Sequence, residues 1–429
     1  MKNELKKAII YQVFVRNFSK EGTFKAVEEK LDYIKNLKTD ILYLLPINII
    51  GKVGRKGDLG SPYAIQDYRV INPELGNLDD LKSLINKTHE KGMKIIIDIV
   101  FNHTSRDSWI MNNHPEWMYK NKEGKFANKA GDWSDVYDLD TENDELVKYL
   151  IDTLDFYLSI GIDGFRFDVC SLLSHKFFYN LKKMVDEKYP NTILLAESVH
   201  SQFIIHLRSN NFNSLCDADL FNHGIDMLYP YNVFEYFTKY LEEHDERYLT
   251  MYKAQLELDE ASNPPSQLRV RGLENHDQKR LIEFSKDLNI RKNLLAHSVF
   301  MKGPFFIYNG LETKADHHID LFTKDLLDLT IDENWYNFVI KLVDYKREDK
   351  NLKLLTSLPL MTKGENLVIR NFYEDQEVAY GLFNFTKDSI TIKDKDLEDG
   401  KYIDYISNKE FEIKDNSITF KEPLYLFKK

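Results

Sequence analysis

Two rhythms alternate along the first 350 or so residues of this chain. Short apolar runs that read as buried parallel strands are followed by stretches whose apolar residues recur at helical spacing. Residues 8–15 form a first strand, after which Phe24, Val27, Leu31, Ile34 and Leu37 share one helical face. A second strand at 41–45 stops at Pro46; beyond a glycine-rich loop, a helix with Leu78, Leu81, Leu84 and Ile85 ends at Gly92. The third strand spans 94–100, and Leu146, Leu150, Leu154 and Tyr157 mark a helix that ends at Gly161. Strands four to eight are predicted at 164–168, 192–196, 215–220, 267–273 and 304–308. Eight such repeats predict an α/β fold, a (β/α)8 TIM barrel. An open doubly wound sheet is the rival, and it would leave the first and eighth strands unpaired.

Two segments break the rhythm. Residues 104–137 hold Trp109, His114, Trp117, Tyr119 and Trp133 and are too long for a plain strand-to-helix connection, so a short inserted subdomain after strand 3 is predicted over the active face. After residue 350 the pattern turns to short alternating strands at 367–372, 378–385, 390–392, 411–413 and 424–426, with Asp399-Gly400 and Asp415-Asn416 as turns. The predicted domains are therefore a barrel (1–103 and 138–349), an insert (104–137) and a C-terminal antiparallel β-sandwich domain (350–429).

Composition narrows the partners. A chain of 429 residues, 43% of them hydrophobic, buries a sizeable core, and a net charge of −11 argues against nucleic acid or an anionic membrane as partner. Two cysteines, Cys170 and Cys216, give no disulfide framework. The start of the chain lacks the apolar segment and cleavage site of a signal peptide, and no apolar run is long enough to span a bilayer, so a cytoplasmic location is predicted.

The chemistry lies at strand ends. Ile95 to His103, Gly161 to Asp168, Ile193 to Glu197 and Leu273 to Asp277 each close an apolar run with a carboxylate or a polar group able to read a sugar. A buried charge needs a task or a partner, and a barrel aims all its strand C-termini at one face. Asp168, Glu197 and Asp277 then converge. Glycosidic bond cleavage with retention needs a carboxylate nucleophile and a carboxylic acid. Asp168 is read as the nucleophile, held ionised by Arg166 two residues before it. Glu197, after an apolar run that raises its pKa, is read as the acid/base. Asp277 stabilises a positively charged transition state, and His103 and His276 can donate to sugar hydroxyls. Asp98 is read as a structural partner of Arg166. His317-His318 looks like a metal pair, but adjacent residues do not face one way on a helix, and no metal site is predicted.

These residues resemble the alpha-amylase family, glycoside hydrolase family 13, over about residues 8–345. Asp98, Asn102 and His103 are similar to its first signature region, Gly164 to Asp168 to the second, Glu197 to the third, and Asn275, His276 and Asp277 to the fourth. Ser61-Pro62-Tyr63 with Asp67-Tyr68 resembles the segment whose tyrosine stacks on the sugar at the cleavage site, which gives Tyr63 that role; Arg280 is similar to a substrate-binding arginine of the family's exo-glucosidases. The resemblance implies a retaining double displacement on α-linked gluco-oligosaccharides, of alpha-amylase or α-glucosidase type, with no required cofactor. Asn102 matches a calcium ligand of some amylases, so the resemblance also raises a structural calcium ion. Ser171-Leu172 stand where many alpha-amylases have Lys-His, and Ala64 where many exo-glucosidases have Asp. The alternative is a glucosyltransferase or phosphorylase of the same family acting on a phosphorylated disaccharide, with Lys52, Arg55 and Lys56 in the glycine-rich loop to hold the phosphate. A non-catalytic binding subunit of the same fold is a further rival, against which the complete carboxylate trio counts.

Overall fold

Eight parallel strands follow one another around a central core: β1 (Ile9–Val13), β2 (Ile41–Leu44), β3 (Lys94–Ile99), β4 (Gly164–Phe167), β5 (Ile193–Ala196), β6 (Met227–Leu228), β7 (Leu268–Arg269) and β8 (Phe305–Tyr308). The structure is a computed structural model that describes residues 2–131 and 133–429. β1 pairs with β8 from Ile9↔Phe305 to Gln12↔Tyr308. The seam between β7 and β8 is made just beyond β7: Arg271 N donates to Pro304 O at 2.7 Å and Phe306 N to Arg271 O at 2.8 Å. The ring therefore closes, which excludes the open sheet.

Side-chain alternation fills the ring from both sides. Ile10 of β1 packs inside with Tyr43, Ile96, Leu195, Met227 and Phe306. Its neighbours Ile9 and Tyr11 belong to the larger core between strands and helices. The helix Leu78–Glu90 starts at a capping box formed by Asn77 and Asp80, and Asn143 caps Asp144–Ser159, which buries Leu146, Leu150, Leu154 and Tyr157.

Sixth-strand placement differs from the sequence reading. Residues 217–222 form a helix, Asp217–Asn222, and the strand is the two-residue β6 farther on. The reason is local: Asp219 Oδ2 accepts the Cys216 N–H at 3.0 Å, and two acidic residues occupy the first turn, where the helix dipole favours them.

The insert leaves and returns through a ribbon in which His103–Ser105 pairs antiparallel with Val136–Asp138. The C-terminal region forms β9 (Leu354–Leu360), β10 (Asn366–Tyr373), β11 (Val378–Asn384), β12 (Ile390–Lys393), β13 (Gly400–Asp404), β14 (Glu410–Ile413), β15 (Ser417–Phe420) and β16 (Leu424–Lys428). A six-stranded antiparallel sheet, ordered β9-β10-β11-β16-β13-β14, packs against the two-stranded antiparallel sheet of β12 and β15 through Val368, Leu382, Tyr402, Ile392 and Phe420. The sequence pattern misses β9, β13 and β15, and Gly400 opens a strand rather than sitting in a turn. Among the described residues, no helix is long and apolar enough to cross a membrane.

Candidate active site

Adjacent strand ends place the acidic residues. Asp168 is the first residue past β4 and Glu197 the first past β5, and the last residues of these strands, Phe167 and Ala196, are register partners. Asp168 N donates to Ile99 O and Glu197 N to Phe167 O, both at 2.9 Å, so the sheet ladder itself sets the two side chains side by side. Beneath them lies Arg166, fully buried, whose register partner on β3 is Asp98. Arg166 Nη1 is 2.9 Å from Asp98 Oδ1 and 2.8 Å from Asp168 Oδ1, and Nη2 is 2.9 Å from Glu197 Oε2. One guanidinium thus serves three carboxyl groups, which is what makes this density of buried charge tolerable.

Asp277 joins from the loop after β7. Asn275 Oδ1 accepts its N–H at 2.8 Å, and its side chain is 41% exposed, the most open of the three acids. Gln12 Nε2 donates to His276 Nδ1 at 3.0 Å, which leaves the ring proton on Nε2, 3.1 Å from Asp277 Oδ2 and 2.5 Å from the Tyr63 hydroxyl. The Tyr63 hydroxyl in turn donates to Asp98 Oδ2 at 2.9 Å, and its ring stacks on His276 at 5.3 Å.

Two cavities meet at the acids. One, of about 320 Å³, is lined by Tyr63, His103, Trp133, Asp168, Glu197, Asp277, Lys56 and Phe322 among others. The second, of about 510 Å³, is lined by His200, Phe203, Tyr231, Phe234 and Glu235 among others. Trp133, Val169, Glu197 and Asp277 line both, so the carboxyl groups of Glu197 and Asp277 sit at the neck of a continuous cleft and that of Asp168 on its smaller side.

Burial governs the protonation of this cluster. It raises the pKa of Glu197, and desolvation by the walls of the cleft raises that of Asp277 although its own side chain is open, with Arg166 opposing in each case. It also drives Asp168 well above the usual carboxylate range, outweighing Arg166, and the charge of Glu197 adds to the rise. The sequence reading expects Arg166 to hold Asp168 ionised; burial outweighs that guanidinium, and the two other carboxyl groups it serves, Glu197 and Asp98, push Asp168 up as well. The acids titrate as a set rather than singly. Burial lowers His276 to about 3 and His103 to about 4, so both rings are neutral at pH 7.

Of the residues singled out in the sequence, Tyr63, His103, Asp168, Glu197 and Asp277 line the first cavity. Arg166 and His276 lie under that lining and act through it. Arg280 lies apart from this lining. It is 1% exposed and lines neither cavity. Its Nη1 donates to Glu274 Oε2 at 3.0 Å, Nη2 to Asn309 O at 2.9 Å and Nε to His317 O at 2.8 Å, so its donor nitrogens are spent on tying the loop after β8 to the loop after β7. Lys56 reaches the cavity but is paired with buried Asp135 at 3.0 Å. Sequence reasoning overlooks Val169, Tyr231 and Phe322. Val169 has a left-handed backbone, φ 38° and ψ 42°, unusual for a β-branched residue, and this aims its N–H at Glu197 Oε2, 2.9 Å away.

A calcium ion does not fit the residues around Asn102. Asn102 Nδ2 donates to Asp138 Oδ1 at 3.3 Å, Asp138 Oδ2 accepts the Lys129 N–H at 2.7 Å, and the Leu172 carbonyl accepts from Lys129 Nζ at 3.3 Å. Calcium needs six or more oxygen ligands, whereas both Asp138 oxygens and the Leu172 carbonyl already accept protein donors, and of this group Asn102 Oδ1 alone is buried without a hydrogen-bond partner. Among the described residues no cluster of three or more His, Cys, Asp or Glu is arranged to hold a metal.

Known proteins resemble this chain along most of its length. The family model described as the alpha-amylase catalytic domain matches residues 9–116 and 108–351, and that of the bacterial alpha-amylase C-terminal domain matches 360–426. A crystal structure of an alpha-amylase from Lactobacillus plantarum superposes with a TM-score of 0.89 at 38% identity, covering 99% of each chain. Cyclomaltodextrinase from Thermoanaerobacter pseudethanolicus is 25% identical over 86% of this chain and 64% of its own length. Alpha-amylase 3 from Dictyoglomus thermophilum is 30% identical over 73% of this chain and 66% of its own. The chain thus spans just under two thirds of the length of these curated relatives.

Proposed function

The chain belongs to the alpha-amylase family of glycoside hydrolases, and from that premise we propose that it cleaves α-linked gluco-oligosaccharides with retention of configuration and without a cofactor. One observation carries the reading: Asp168 and Glu197 stand on neighbouring strand ends and share Arg166, with Asp168 in the smaller cavity and Glu197 at the neck where it meets the larger one. A glycosidic bond seated there has its glycone in the smaller cavity, against Tyr63, and its leaving group in the larger one.

Asp168 attacks the anomeric carbon while Glu197 gives its proton to the departing glycosidic oxygen. The glycosyl ester on Asp168 is then attacked by water, whose proton returns to Glu197, and Asp168 leaves as the carboxylate. The attacking form of Asp168 is the carboxylate, and its counter-charge is Arg166 Nη1, 2.8 Å away. Asp277 offers negative charge to the oxocarbenium-like transition state. The phosphorylated-substrate alternative is weakened by Lys56, whose charge is already matched by Asp135.

Maltooligosaccharide hydrolysis followed by proton NMR tests the reading. The first product to appear carries the α-anomer, and Asp168→Asn lowers turnover by roughly a thousandfold or more. A β-anomer overturns retention, and near-normal turnover by Asp168→Asn overturns the nucleophile. Adding inorganic phosphate leaves the product pattern unchanged for a hydrolase and gives a sugar phosphate for a phosphorylase.

A further inference from the structure

Lys129 joins three parts of the molecule. Its backbone N–H donates to Asp138 Oδ2 at 2.7 Å, within the ribbon that roots the insert, where Asp138 is the register partner of His103. Its side chain crosses to the segment after Asp168, where Nζ donates to the Leu172 carbonyl at 3.3 Å. Asp138 is fully buried and takes only amide donors directly: no basic side chain lies within ion-pairing distance of it among the described residues, and the ammonium of Lys129 attracts it from farther off, as it does Asp140 and Glu142. Burial lowers the pKa of Lys129 and these three carboxylates oppose the fall.

We propose that the Lys129 ammonium is a tethered cation that fastens the insert to the loop carrying the nucleophile, in the place where a divalent ion would otherwise have to be recruited. The Asn102 neighbourhood that fails to fit calcium is, on this view, already supplied with positive charge by the chain itself. The consequence reaches the acids through backbone: Leu172 ends the short helix Cys170–Leu172, which begins just after Val169, and Val169 N–H holds Glu197 Oε2. Lys129 is a positioning residue, two steps removed from the substrate. Its effect on turnover rests on the proposed hydrolase reading; its effect on stability does not.

The test uses the full chain as wild type, Lys129→Met and Lys129→Arg, each dialysed against EDTA and melted with and without added calcium chloride. Wild type is expected to keep its midpoint and its turnover in EDTA and to gain nothing from calcium. Lys129→Met removes the charge at nearly constant length and is expected to lower the midpoint by roughly 2–5 °C, with faster proteolysis within 104–137 and reduced kcat. Lys129→Arg retains the charge and recovers at least half of each loss. Wild type that loses stability in EDTA and regains it with calcium overturns the proposal. So does a Met variant that melts like wild type, or an Arg variant as damaged as the Met one. If Lys129→Met fails to fold, the wild-type EDTA comparison and the Arg variant still decide. Wild type inert toward α-glucosides yet indifferent to EDTA, with charge-dependent melting, refutes the hydrolase reading and leaves Lys129 standing.

Discussion

Glu197 shows how far one residue's environment sets its chemistry. Burial raises its pKa, and Val169 N–H and Arg166 hold it back from rising further. The protonated form is the one that donates, so activity declines as pH climbs through the raised value, and the alkaline limb of kcat/KM lies above the ordinary carboxyl range. Glu197→Gln is expected to lose that limb, and to lose far more turnover on alkyl or sugar leaving groups, roughly a hundredfold or more, than on activated aryl glucosides, which depart unaided. Equal losses on both substrate classes in steady-state assays would remove Glu197 from the acid role. At this scale the sequence is informative wherever a polar residue ends an apolar run, which is why Asp168, Glu197, Asp277 and His103 are legible. Val169 is not, because nothing in a Val-Cys-Ser string announces a left-handed turn. Arg280 misleads for a related reason: its spacing from Asp277 is visible, but which way its guanidinium turns depends on Glu274 and on loop carbonyls from a remote part of the chain.

Elements are legible in proportion to their length and periodicity. The helix Asp144–Ser159 carries both a cap and a buried stripe, and it sits where the pattern puts it. β6 and β7 are two residues each and have no period to read; their place comes from neighbours, with Met227 paired to Leu195 on one side and Leu268 on the other. Closure of the ring leans on Gly303, just before β8. It has φ +123°, and a Cβ there would stand 2.0 Å from the Arg269 carbonyl oxygen of β7. Gly303→Ala must therefore push the strands apart at the seam where Arg271 and Pro304 pair. A destabilisation of about 2–5 kcal/mol is expected, read as a lowered midpoint in urea titration. A midpoint indistinguishable from wild type would mean that the seam is far softer than this approach of backbone to backbone implies.

At the scale of the whole molecule, barrel and β domain share one core. The helix Leu288–Phe300 is buried from Asn293 to Phe300 because it is clasped from both sides. The Tyr425 hydroxyl donates to Ala296 O at 2.6 Å, Asn371 Nδ2 to Phe300 O at 2.7 Å, and the Asn384 N–H to Asn293 Oδ1 at 2.8 Å, so the six-stranded sheet holds this helix by its polar groups as well as its apolar ones. His297 lies in that junction, fully buried among Phe237, Phe383 and Phe385, with its Nε2 3.2 Å from the Tyr252 hydroxyl. Burial, with Arg271 adding to it, lowers its pKa from 6.5 to about 3. A group whose folded pKa is depressed contributes stability that is complete above its unfolded value and is lost as pH falls below it, because the unfolded chain then binds the extra proton. Between pH 6.5 and 3 this histidine alone tilts the balance toward unfolding by about 1.4 kcal/mol per pH unit. The buried carboxyl groups with raised pKa act in the opposite sense, so the informative quantity is a difference between two proteins rather than one pH profile. His297→Gln is expected to be less stable than wild type at pH 7, where both side chains are neutral and only packing differs. By pH 5 that gap should shrink by about 2 kcal/mol, since only wild type then bears the cost of a histidine kept uncharged. Urea titrations of both proteins at pH 7, 6 and 5 measure it, and a gap that stays constant across the series would show that this ring takes up its proton without disturbing the joint between the domains.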